Sequence, residues 1–126
     1  MNALRSSVLA IVLGALAAPV GLPADDPIGD NLGTINFSVS GDREAQEHVV
    51  RGVKLLHHMM YPEADREFAR AAEIDQQCAL AHWGRAMTII HPLWPDAPNE
   101  AELTAGTNHI RRGLACPPAT PREQRY

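Results

Sequence analysis

Aromatic side chains are scarce in this sequence: two each of Trp, Tyr and Phe, or 5% of the residues. A thin core is therefore expected. Alanine is abundant in the segments with helical patterning, which implies helix backbones lying close together. Excess positive charge is also missing. Eleven Lys and Arg stand against fifteen Asp and Glu, the formal net charge is −4, and the basic residues are scattered. That excludes the electrostatic footprint of a nucleic-acid binder or a patch for anionic membranes. Neither a glycine-rich phosphate loop nor a serine nucleophile elbow occurs. The sequence is accordingly not read as an enzyme, and no catalytic residue is assigned. Length bounds the rest, since 126 residues admit one ordinary domain.

Long hydrophobic runs are lacking too. The apolar stretch from Val8 to Ala18 has 11 residues, whereas a bilayer-spanning helix needs roughly 20. It follows a single arginine, Arg5, and leads into Ala15-Leu16-Ala17, a small-x-small cleavage pattern. Residues 1–24 therefore read as a secretory signal peptide, cleaved after Ala17 or after Ala24. Losing Arg5 takes the net charge from −4 to −5. The expected product is exported, periplasmic or secreted, with no membrane span after cleavage. No cysteine near the cleavage point offers a lipid attachment site.

Residues 25–41 are rich in glycine and turn formers and form an extended or irregular arm. Its one alternating apolar run is Leu32 to Val39. Four helices are then expected over residues 42–116. In the first, Ala45, Val49, Gly52, Val53, Leu56 and Met60 share one face, with Ser40 or Asp42 as cap. Pro62 stops it near Met60 and can open the second helix, which carries Ala64, Phe68, Ala71 and Ala72 as far as about Ile74. The third begins near Cys78, aligns Leu80, Trp83, Gly84, Met87 and Ile90, and ends before Pro92. A proline-punctuated loop leads to Asn99, which has capping-box spacing to Glu102. The fourth helix carries Leu103, Gly106, Ile110 and Leu114 and is stopped by Pro117 and Pro118. Residues 117–126 contain a further start signal, Thr120-Pro121 with Glu123, so a fifth helix is expected to begin there and be truncated. The fold class is all-α, two antiparallel hairpins.

Gly52 and Gly84 lie 32 residues apart, a spacing within the range of helical solenoids. Gly52, Tyr61, Glu63, Ala64, Phe68 and Ala71, with "EID" closing at Asp75, resemble the tetratricopeptide repeat over Ala45 to Gln76. Leu80, Trp83 and Gly84 resemble the first helix of a second unit. The resemblance departs at Gln76, where the family usually has proline, so a looser turn is expected. It departs again where the fourth helix lacks the family's phenylalanine. In that family the glycine and alanines are contact points between helices, and the phenylalanine fills the groove between hairpins. The ensemble also resembles the front of long exported bacterial repeat proteins, which implies further repeats after Tyr126.

The resemblance implies a scaffold binding a protein or peptide through the concave face made by the first helix of each hairpin. Val53, His57, Trp83 and Arg85 are the candidate face, with Trp94 either a plug between hairpins or an exposed anchor. No cofactor is expected. Two rival readings remain: a metal- or haem-handling accessory domain using its histidines, or a structural cap of a longer protein with no ligand of its own. The six histidines are His48, His57, His58, His82, His91 and His109, and no His-x-x-x-His spacing sets two of them on one helix face. They read as solvated or groove-lining, and no metal ligand is assigned. Glu63, Asp65 and Glu67 read as a solvent face. Cys78 and Cys116 fall at the same pole of an antiparallel hairpin. Either they form a disulfide, adding on the order of 3 kcal/mol, or Cys78 is a buried free thiol.

Overall fold

The computed structural model describes residues 31–117 and 120–126. The expected signal peptide, residues 1–24, and the first part of the arm lie outside them. Among the described residues the protein is all-α: four α-helices and one short 3-10 turn, with no strand.

Helix α1 spans Arg43–His57. Asp42 caps it, its Oδ1 accepting from the Glu44 and Ala45 amides at 2.8 and 3.3 Å. The helix stops three residues short of Met60. Met59 takes a left-handed backbone, φ 58°, and the amides of Met59 and Met60 return to the carbonyls of Leu56 and Leu55 at 3.0 Å each. That is the hydrogen-bond pattern of a Schellman cap. Pro62 therefore acts only on the next element, α2 (Tyr61–Ile74), where it sits in the first turn.

Asp75 closes the connection from α2 to α3. Its carboxylate accepts from the Gln77 amide at 3.0 Å and from the Asp42 amide at 3.1 Å, tying the end of α2 to the start of α1. The turn that has Gln76 instead of proline is thus held by a side chain. Gly41 sits against this carboxylate with φ 100°, and a Cβ there would come within 2.5 Å of Asp75 Oδ2. Only glycine fits.

Helix α3 is short, Ala79–Met87. Thr88 turns its hydroxyl back onto the Arg85 carbonyl at 2.8 Å, and the next amides make i→i−3 bonds. Ile90 consequently leaves the apolar face and is exposed, as is Met87 at the last position of the helix. Helix α4 spans Glu100–Ala115 and begins with both halves of a capping box between Asn99 and Glu102.

Contacts fix the directions. Asp42 meets Asp75 while Gly52 meets Phe68, so α1 and α2 are antiparallel. Gly113 lies against Ala79 and His82, and Gly106 against Ile89, so α3 and α4 are antiparallel as well. Phe68 is fully buried at the junction of α1, α2 and α3. A Cβ on Gly52 would lie 2.8 Å from its ring, and one on Gly84 2.3 Å. Two helices thus close on one ring because both lack a side chain there. Ala45, Val49, Val53, Leu55, Ala64, Ala71, Cys78, Leu80 and Ala81 belong to the same core.

The arm follows the pleat. Leu32 is buried, and Ile35, Phe37 and Val39 pack against the core on alternate positions. It runs along α1 from its end, where His58 Nε2–H donates to the Leu32 carbonyl at 3.4 Å, back to Ser40. The tail then closes on the arm. Thr120 and Glu123 bond each other at 2.9 and 3.1 Å, and the turn Glu123–Arg125 is 3-10. Glu123 also accepts from Ser40, from the amide at 2.8 Å and from the hydroxyl at 2.7 Å.

Candidate functional site

Helices α3 and α4 and the tail enclose an apolar groove of about 330 Å³. Its floor is α3, through Leu80 and Trp83. Ile110 and Leu114 of α4 form one wall, and Tyr126 with Gln124 forms the other. Trp83 serves both inside and outside. Its ring meets the edge of Phe68 with centroids 6.5 Å apart, and on the groove side it meets Tyr126 at 5.1 Å. Tyr126 continues to Phe37 at 6.0 Å, over which the Arg122 guanidinium sits at 4.8 Å. An aromatic chain thus runs from the core through the groove to the arm.

Glu123 anchors this wall. Burial alone would push its carboxyl up, but hydrogen bonds from Ser40 and Thr120 outweigh that and hold it below its ordinary value. The site has apolar surface and a few polar groups at its rim. Cys116, on the same rim, has its thiol pushed up by burial and by the nearby Asp75 carboxylate.

The candidate face does not assemble as a unit. Of its five residues, Trp83 alone lines the groove. Val53 is 4% exposed and belongs to the core, because the arm lies along the adjoining flank of α1 that carries Gln46, Val50 and Lys54. That placement corrects its assignment to a binding face. Arg85 is engaged by Asp65, Nε to Oδ1 at 2.9 Å. His57 is exposed at the end of α1. Trp94 is exposed beside Leu93 in the loop, so it does not plug the hairpins. Leu80, Ile110 and Leu114 were expected on helix faces but not at a site, and Tyr126 was not singled out; the start signal at Thr120 and Glu123 was the available clue to the tail's position.

The acidic residues of α2 also differ from a plain solvent face. Glu67 accepts from His48 Nδ1 at 2.6 Å and from Arg51 Nε at 3.1 Å, so it bridges to α1, while Asp65 bridges to α3. Glu63 and Glu73 make surface pairs, with Arg66 and Arg70.

The two cysteines are free thiols. Cys116 Sγ lies 3.8 Å from the Gln76 carbonyl, two residues before Cys78, so both stand at one pole without the disulfide considered from the sequence. Cys78 is buried, which pushes its thiol up. The histidines are dispersed, and among the described residues no group of three or more His, Cys, Asp or Glu side chains could hold a metal ion. His82 and His109 share the α3–α4 contact, each with a buried Nδ1 that has no hydrogen-bond partner. No described helix is long and apolar enough to cross a membrane. No family model, curated protein or solved structure matches the chain.

Proposed function

We propose that this protein is an exported, tetratricopeptide-like helical scaffold that holds a protein or peptide partner in the groove between α3, α4 and the tail. The observation that carries the reading is the apolar floor at Trp83, open to solvent between Ile110, Leu114 and Tyr126. Its shape suits a helical segment presenting apolar side chains along one stripe, the groove-binding mode in which apolar anchors supply most of the affinity. The repeat-like part of the proposal is supported by Gly52, Ala64, Phe68, Ala71 and Gly84, all of which are buried where helices meet. Export is supported by the sequence of residues 1–24 alone.

The test is a fluorescence titration of the Trp94→Phe protein, in which Trp83 is the one remaining indole, with a library of amphipathic helical peptides. Binding is expected to shift the Trp83 emission and to weaken at least about tenfold on Leu114→Asp. Binding that ignores Leu114→Asp, or no binder from the library, overturns the reading.

A further inference from the structure

The arm rests in a seat that it does not fill. Ile35, Phe37 and Val39 pack against the core at alternate positions, yet the backbone of residues 33–39 makes no hydrogen bond among the described residues. Polar ties exist only at the two ends, from His58 to the Leu32 carbonyl and from Ser40 to Glu123 of the tail. Between them the arm is held by side-chain packing, with Phe37 against Tyr126 and beneath the Arg122 guanidinium. Beside Phe37, Ser38 and Val39 an open cleft of about 460 Å³ remains between the arm and α1.

The charges lining that cleft select an occupant. Arg43, Arg51 and Lys54 of α1 line it, and Glu47 is the one carboxylate among them. Arg43 pairs with Glu47 at 3.2 Å where both are exposed, and Arg51 is held by Glu67 at 3.1 Å. Lys54 has no ion pair among the described residues. Residues 31–41 of the arm contain no charged side chain. The arm thus matches the seat in its apolar alternation and leaves the positive cleft unmatched. A segment that kept the alternation and carried a carboxylate at the position of Ser38 would match both. Such a segment is extended, because residues two apart lie on one side only of an extended chain. We infer that the strip between α1 and the tail is a docking site for an extended, acidic segment of a partner protein, with the arm as its resident occupant and the Ser40–Glu123 contact as the latch. Docking is then a competition, and the apparent affinity of an incoming segment is set by the fraction of molecules in which the latch is open.

This goes beyond the groove reading and does not rest on it, since none of the residues of the cleft lines the groove. The test is fluorescence anisotropy of a labelled synthetic peptide with the sequence of residues 31–41, titrated with the full chain. Glu123→Gln and Ser40→Ala protein should each bind it about tenfold more tightly than wild type, with unchanged helical circular dichroism. Phe37→Asp in the peptide should abolish binding. A Ser38→Glu peptide should bind about tenfold more tightly than a Ser38→Lys peptide at low salt, and the gap should narrow at high salt. The inference is overturned if no protein binds the peptide, or if wild type binds it as tightly as both latch variants. It is overturned equally by a Phe37→Asp peptide that binds like the parent, or a Ser38→Glu peptide no tighter than Ser38→Lys. Leu114→Asp should leave this binding unchanged; a loss there would place the peptide in the groove of α3 and α4 and overturn the strip.

Discussion

Phe68 is the residue on which the packing turns. Its ring is wedged between the missing side chains of Gly52 and Gly84 and meets Trp83 edge-on, so it has nowhere to move when one side fills. Gly84→Ala places a methyl group closer to the ring than Gly52→Ala does. Overpacking of this kind costs about 1–3 kcal/mol, and replacing a helical glycine returns about 1 kcal/mol. Urea unfolding is expected to show Gly84→Ala less stable by up to about 2 kcal/mol, Gly52→Ala less affected, and the double variant worse than the sum. An unchanged midpoint for Gly84→Ala would mean that the ring is free to shift. Spacing placed the glycines and the phenylalanine on apolar helix faces, and their roles as close contacts and wedge were expected only from the resemblance to the tetratricopeptide repeat. That one ring would serve both glycines was not legible, since it depends on where α3 crosses α2.

At the scale of elements, local chemistry explains where the helices begin. Asp42 and the Asn99–Glu102 capping box act through hydrogen bonds two or three residues long, which the sequence displays directly. Helix ends were harder. Met59 ends α1 in a conformation usually left to glycine, and Thr88 ends α3 through its own hydroxyl; neither choice carries a strong sequence mark. The α3–α4 contact has a pH dependence of defined sign. Burial, then the Arg85 charge, holds His109 below its ordinary value of 6.5, with Asp65 opposing and His82 and Arg112 adding to the depression. The folded state thus binds fewer protons than the unfolded one in this range. The stability is fully present above about pH 6.5 and is lost as pH falls through the lower folded value. Wild-type protein should lose more of its urea midpoint between about pH 7.5 and pH 5 than His109→Gln does. Equal losses in the two proteins refute the assignment.

For the whole molecule, the arm and tail decide which surfaces stay open. The arm covers the flank of α1 beside Val53, and the tail turns Tyr126 onto Trp83, leaving the groove of α3 and α4 open. Glu123 is the fastening. Its lowered carboxyl pKa means that the docking energy is present above the ordinary value of 4.5 and is lost as pH falls through the depressed folded value. Glu123→Gln and Ser40→Ala should both release the tail at neutral pH, seen as a changed Trp83 emission in the Trp94→Phe background. Wild type should show that change only in acid. If the emission of all three proteins is the same at neutral pH, the tail is held by the aromatic contacts instead.

The sequence by itself determined the helical class, the caps and the inward stripes of α1 and α2, because those are set by periodicity and by hydrogen bonds within a few residues; the stripe expected of α4 is exposed. Only the tertiary structure decided which of the inward-facing residues also reach the surface. Val53 and Trp83 have the same helical periodicity, yet one is sealed and the other floors a groove. The difference is made by segments far away in the chain, Leu32 to Val39 and Thr120 to Tyr126, whose resting places depend on long-range packing that no local pattern encodes.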